Sequence, residues 1–283
     1  MTLTWQRRVT SQIAVGLCAL SVIVALIPLG FILFFVVSKG IHALNLDFFT
    51  KMPVPVGETG GGMANAIVGT LMLSGLGALG AIPVGIISGI YMSEYAGSTL
   101  ASVVRFAADT LNGVPSIVIG VFVYGIAVLP IKQFTMVAGG IALGIMMIPI
   151  IARSTEELLR LVPNTLREGA LALGATRARA VFTVVLPAAL PGIITGVVLA
   201  LARIAGETAP LLFTSLNSSY WNVNPLQPTA SLTVQIYAYA LSPYEDWQRQ
   251  AWAGALVLVA IVLICSLLAR TATRSLERMS VGS

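Results

Sequence analysis

Six stretches of this chain are apolar for long enough to cross a bilayer, and this limits what it can fold into. A spanning helix needs about 20 predominantly apolar residues. Residues 13–38, 64–92, 114–131, 134–152, 188–214 and 251–269 meet that requirement. The bilayer core offers no water to a free N–H or C=O, so such segments must satisfy their backbone internally, as helices. Only 10% of the 283 residues are charged and 57% are hydrophobic, whereas about a quarter of a soluble domain is charged. The expected fold is an all-α integral membrane protein with six transmembrane helices in a single domain over 1–283. Pro28, Pro83, Pro130, Pro149 and Pro210 lie in or at the ends of these runs, where proline is tolerated and marks kinks.

The basic residues give an orientation. With the N-terminus in the cytoplasm, the inner side holds Arg7, Arg8, Arg105, Arg153, Arg160, Arg167, Arg177, Arg179, Arg270, Arg274 and Arg278. The outer side holds Lys39, Lys51, Lys132 and Arg249. This distribution follows the positive-inside rule and places both termini in the cytoplasm. The net charge of +5 therefore reports topology rather than nucleic-acid binding. The first apolar run exceeds the about 7 to 15 residues of a signal-peptide core and lacks a small-residue cleavage site, so it reads as an uncleaved span. Cys18, Cys265 and His42 stand alone, and no metal site or resident cofactor is expected.

The connections differ in character. Residues 39–63 and 215–250 face outward. The second carries Trp221, Tyr237, Tyr239, Tyr244 and Trp247, which suit either the membrane interface or a docking surface for an extracytoplasmic partner. Residues 93–113 have helical periodicity through Leu100, Val103, Val104, Ala107 and Leu111 and read as a helix along the inner membrane surface. Asn112, Pro115 and Ser116 open the third span. They are either an ordinary proline helix start or a candidate gate.

The inner connection 153–187 is patterned throughout. Pro163 ends the preceding helix, and Thr165 with Glu168 has capping-box spacing. Gly174 is a natural helix stop, and a second short helix is expected over 176–185, ending before Pro187. Gly169, Ala170 and Ala172 form a small-residue surface framed by Arg167, Arg177 and Arg179. The chain has no phosphate-binding loop of its own, because "GETGGGM" at 57–63 lacks the G-K-[ST] ending.

The segment "LARIAGETAP" at 201–210 sets Arg203 and Glu207 inside the fifth run. A charge at mid-bilayer costs at least about 2.5 to 3.5 kcal/mol, so Arg203 must face protein or water. Glu207 lies one helical turn on and can pair with it at i, i+4, with the Thr208 hydroxyl beside them. Two readings stand: a self-neutralising pair that ties helices together, or a transit site for an anion. Arginine suits the second, because its guanidinium stays charged when desolvated and donates a planar fork of hydrogen bonds to an oxyanion.

Two resemblances extend these readings. Glu168, Gly169, Ala170, Gly174, Val184, Leu186 and Pro187 fall in the register E-A-A-x3-G-x9-I-x-L-P of the cytoplasmic EAA loop of bacterial ABC-importer permeases, with Gly169 and Val184 as departures. The resemblance implies the type I ABC importer permease fold, with Glu168, Gly169, Ala170 and Gly174 meeting the ATPase. "NAIVGTL" (65–71), "LNGVPSIVIGVF" (111–122), "ARIAGETAPLLFT" (202–214) and "TVQIYAYALSPYEDWQRQAWAGALVL" (233–258) resemble the PstA-type permeases of phosphate importers over nearly the whole chain. That family implies a paralogous permease subunit, an ABC ATPase dimer that uses the ATP, an extracytoplasmic phosphate-binding protein, and residence in the bacterial inner membrane. It also implicates a membrane Arg and Glu in phosphate passage, which map to Arg203 and Glu207. From the residues alone the cargo is only a small anion. Another oxyanion such as sulfate or molybdate, an ion-coupled secondary carrier with Glu207 as proton relay, or a signalling scaffold are the rival readings.

Overall fold

The computed structural model describes residues 2–58 and 60–281, and among them it is helical with no strand. The helices are α1 (Thr2–Gly40), α2 (Leu46–Thr50), α3 (Ala64–Glu94), α4 (Thr99–Gly113), α5 (Ser116–Ile131) and α6 (Met136–Leu161). They continue as α7 (Asn164–Ala172), α8 (Arg177–Ile204), α9 (Ala209–Thr214), α10 (Leu232–Ala240) and α11 (Glu245–Val281). Among the described residues α1, α3, α6, α8 and α11 are long and apolar enough to span a membrane, and the bent pair α4–α5 supplies the sixth candidate span. The side chains of Arg270, Arg274 and Arg278 lie outside the described residues.

Helices α3 and α6 form the centre of the bundle, and small residues set their approach. Gly77, Ala81, Gly85 and Gly89 recur every four residues along one face of α3. A Cβ on Gly77 would come within 3.1 Å of the Gly140 carbonyl oxygen on α6, and one on Gly89 within 2.5 Å of Thr155 Cβ. This is the small-xxx-small mode of packing, used where lipid is as apolar as the side chains and close van der Waals contact drives association. Leu73, Leu143, Met147, Ile151, Val123 and Ile204 complete the buried core around that contact. By contrast, only 6% of the apolar window of α1 is buried within this chain.

Two prolines are absorbed by a widened helical turn. Residues Tyr124–Val128 and Val181–Val185 are π-helical, and Pro130 and Pro187 follow them after one leucine each, Leu129 and Leu186. A proline ring clashes with the carbonyl four residues back, and the extra residue of a π turn moves that carbonyl aside. The expected short helix over 176–185 is corrected accordingly. It does not end before Pro187 but runs on as α8 to Ile204, joining the inner connection to the membrane interior without a joint.

The fifth apolar run is not one helix. It divides into the end of α8, an unwound segment at 205–208, and α9. At the third run α4 meets α5 at 104°. Pro115 causes the bend by forcing Val114 into extended geometry, with φ −72° and ψ 129°. Helix α4 packs through Ala101, Arg105 and Ala108, while Leu100, Val103, Phe106 and Leu111 face outward. The apolar periodicity read from sequence therefore marks an exposed face, as suits a helix lying in an interface.

Candidate functional site

The inner connection builds a projecting helix. Pro163, not Thr165, sets the start of α7, and no side chain caps it. The expected Thr165–Glu168 capping box is therefore corrected, because Thr165 sits within the helix whereas a cap residue needs non-helical dihedrals. The end is as read. Gly174 takes φ +85°, its N–H donates to Leu171 C=O at 2.9 Å, and Ala175 N–H donates to Ala170 C=O at 3.1 Å. These are the two bonds of a Schellman stop. Thr176 then caps α8 by accepting from Arg179 N–H at 3.3 Å.

Glu168, Gly169, Gly174 and Arg177 are exposed on this device, and Ala170 is half-buried. Nothing approaches the position of a Cβ on Gly169, and Leu173 is 92% exposed. An exposed leucine beside bare glycine backbone is a surface that another protein can approach closely. Arg167 departs from the expected framing role because its guanidinium turns inward. It donates to Glu94 Oε1 of α3 at 3.2 Å, to Leu159 C=O at 2.8 Å and to Val162 C=O at 2.7 Å. It braces α7 against the ends of α3 and α6.

Behind that brace lies a charge cluster that sequence reading missed. Glu156 on α6 is fully buried. Its Oε1 accepts from Arg105 of α4 at 2.6 Å and lies 2.6 Å from Arg160, and its Oε2 accepts from Arg153 at 2.6 Å. Arg153 also reaches Asp109 at 3.0 Å. The available signal was a glutamate with arginines three residues before and four after it on one helix, the spacing of side chains that share a face.

At the other end of α8 Arg203 and Glu207 do not pair with each other, so of the two readings the self-neutralising pair is not the one seen among the described residues. The helix stops at Ile204, Gly206 N–H bonds back only to Arg203 C=O at 3.2 Å, and Pro210 has no N–H to continue the ladder. The i, i+4 geometry that would bring the two charges together is therefore absent. Arg203 is exposed, with no hydrogen bond or ion pair to any described residue, while Glu207 and Thr208 are half-buried. The Thr208 carbonyl takes both Leu211 and Leu212 N–H at 3.2 Å, and Glu207 C=O accepts instead from Thr233 Oγ1 of α10 at 2.8 Å. Helix α5 presses on the break, since a Cβ on Gly120 would lie 2.7 Å from Pro210 Cα. Asn112 and Pro115 are exposed at the α4–α5 elbow and Ser116 is half-buried. None of the three bonds to Arg203, Glu207 or Thr208.

On the outer side, Tyr239 is buried and stacks on Trp247 at 4.5 Å, so it belongs to the core. Tyr220, Trp221, Tyr237 and Tyr244 remain exposed there.

Residues 81–279 match the family described as the binding-protein-dependent transport system inner membrane component. The chain is 46% identical over 265 residues to the phosphate transport system permease protein PstA of Yersinia pestis, covering 93% of this chain and 90% of that protein. It is 44% identical to PstA of Haemophilus influenzae, covering 93% and 94%. The chain belongs to the PstA permease family. Its fold is that of ABC-importer permeases at large. A chain of a bacterial alginate ABC transporter superposes with a TM-score of 0.67 at 16% identity, covering 96% of this permease and 97% of that chain. An inward-facing methionine ABC transporter gives 0.60 at 21%, covering 75% and 93%. The permease is thus an inner membrane component of a transport system and not a catalytic subunit.

Proposed function

We propose that this chain is the permease subunit of an ATP-driven importer of inorganic phosphate, and that phosphate passes the break at Arg203, Glu207 and Thr208. The observation that carries the site is the unpaired guanidinium of Arg203 at the end of an apolar helix. A charge left in lipid would be expensive, so the exposed face of α8 is covered in the assembly by a paralogous permease, with water between the two. Phosphate arriving there meets a donor fork with no carboxylate bound to it. Because Glu207 stands apart, it repels the anion after capture instead of blocking the guanidinium beforehand, which keeps binding weak enough for release.

In this reading the chain binds no cofactor and makes no covalent bond. A separate ABC ATPase dimer hydrolyses ATP and grips the surface of Glu168, Gly169, Ala170, Gly174 and Arg177. An extracytoplasmic phosphate-binding protein docks on the outer aromatic surface. Motion of α7 reaches Arg203 through the uninterrupted α8, and the Asn112–Ser116 elbow is the candidate inner gate.

Reconstitution into liposomes with the ATPase, second permease and binding protein tests this. Labelled phosphate should enter only with ATP inside the nucleotide-accessible compartment. Sulfate or molybdate should not compete. Uptake driven by a proton gradient without ATP would favour a secondary carrier and overturn the proposal. In the same system Glu168→Lys, or Gly174→Asp, which forces a side chain into the left-handed region, should cut co-purification of the ATPase by about ten-fold, a cost on the order of 1.4 kcal/mol. Unchanged co-purification would remove these residues from the coupling surface.

A further inference from the structure

Helix α3 touches both functional regions. At its inner end Glu94 Oε1 accepts two bonds from Arg167 of α7, from Nε and Nη2, each at 3.2 Å. At its outer end it holds the start of α10. Thr70 Oγ1 donates to Ala66 C=O at 2.8 Å and accepts from Leu232 N–H at 2.8 Å. Gly69 meets the chain just before α10 so closely that a Cβ would fall 2.0 Å from Ala230 C=O. Asn65 Nδ2 donates to Ser218 C=O at 2.7 Å. Thr233, next after Leu232, then donates its hydroxyl to Glu207 C=O at 2.8 Å. Thr70, Ser231, Leu232 and Thr233 are all buried.

The last of these bonds replaces one that the break has lost. In a continuous helix Glu207 C=O would accept from Leu211 N–H. Here Leu211 N–H serves Thr208, and the Thr233 hydroxyl satisfies the freed carbonyl. An unbonded carbonyl at this depth would be costly, so Thr233 fixes where the unwound segment can sit. Between its two ends α3 has 31 residues, about 46 Å at 1.5 Å per residue, and it is pinned along α6 by backbone contact at Gly77, Gly85 and Gly89.

We propose that α3 is a second mechanical connection from the coupling helix to the helix break, parallel to the covalent one through α8, with Glu94 and Thr233 as its positioning residues. The two connections hold α7 and the 205–208 segment at two points each, so movement of α7 changes the shape of the break and does not merely tilt it. The proposal rests on the reading of 203–208 as the phosphate path. Spatial continuity alone is not coupling, so the test must be energetic.

The reconstituted complex supplies it, with phosphate transported per ATP hydrolysed as the readout. Thr233→Val should lower that ratio about five-fold, the scale of one hydrogen bond, while Thr233→Ser, which keeps the hydroxyl, should stay within about two-fold of the parent. Glu94→Gln should produce a loss similar to that of Thr233→Val. The double variant Glu94→Gln/Thr233→Val should be no worse than the worse single variant, the non-additivity expected of residues in one route. A normal ratio in Thr233→Val, failure of serine to restore it, or additive losses would each overturn the proposal. If Thr233→Val does not assemble with the ATPase, Thr70→Val breaks the same route one bond earlier and takes its place. Arg203→Gln separates this from the path assignment. Normal uptake in that variant with the Glu94–Thr233 non-additivity intact would remove Arg203 from the path and keep the α3 connection to the break. Lost uptake with additive losses would do the reverse.

Discussion

Arg203→Gln is expected to lower phosphate uptake by roughly two orders of magnitude while leaving the permease folded and bound to its ATPase. The size follows from the charge. A neutral amide cannot offset an anion in a low-dielectric passage, and an unmatched charge there costs at least about 2.5 to 3.5 kcal/mol, with about 1.4 kcal/mol for each factor of ten. The sparing of the fold follows from geometry. Arg203 makes no hydrogen bond or ion pair to any described residue, and substitutions away from buried networks usually stay within about 0.5 kcal/mol. Arg203→Lys should fall between, because it keeps the charge and loses the planar fork. Initial rates in liposomes, alongside thermal midpoints and co-purification, separate these outcomes. Near-normal uptake in Arg203→Gln would remove this residue from the mechanism.

The second large effect is on folding. Glu156→Leu should strip the acceptor that Arg105, Arg153 and Arg160 share. Removing one partner of a buried ion pair costs about 3 to 5 kcal/mol, against a total stability on the order of 5–15 kcal/mol. Helix α4 should detach from α6, and the exposed α4–α5 elbow should become sensitive to protease from the cytoplasmic side. Glu156→Asp should lose less, and adding Arg105→Leu to Glu156→Leu should recover part of the loss, since it removes one stranded charge. An unchanged thermal midpoint in Glu156→Leu would show that the cluster is not structural.

Much of this architecture can be read in the sequence wherever one residue type has one physical meaning. Apolar length fixed the candidate spans, and Gly174 marked a stop because a left-handed turn there favours glycine. The errors came where two signals competed. Pro187 looked like an end because a π turn cannot be seen in apolar periodicity. Thr165 looked like a cap because Pro163, two residues earlier, had already set the helix start. The choice between a paired and a free Arg203 stayed open because the i, i+4 spacing to Glu207 presumes an unbroken helix. Gly206 and Pro210, on either side of Glu207, were the evidence against it. Glu156 is hard to see in the sequence because Arg105, Arg153 and Arg160 also satisfy the positive-inside distribution, which asks nothing about helix face. Thr233 lies 26 residues from Glu207, and no local pattern connects them.

Helix α1 has a consequence for how the protein is made. Among the described residues it packs against α11, where a Cβ on Gly40 would stand 2.7 Å from Trp252 C=O and 2.9 Å from Leu256 Cβ. Because Gly40 and Trp252 lie far apart in the sequence, this contact closes only after the helices between them have been made. A chain that stops before Glu245 therefore leaves α1 without this contact, and a protein cut short there is left with an apolar helix packed against nothing on that side.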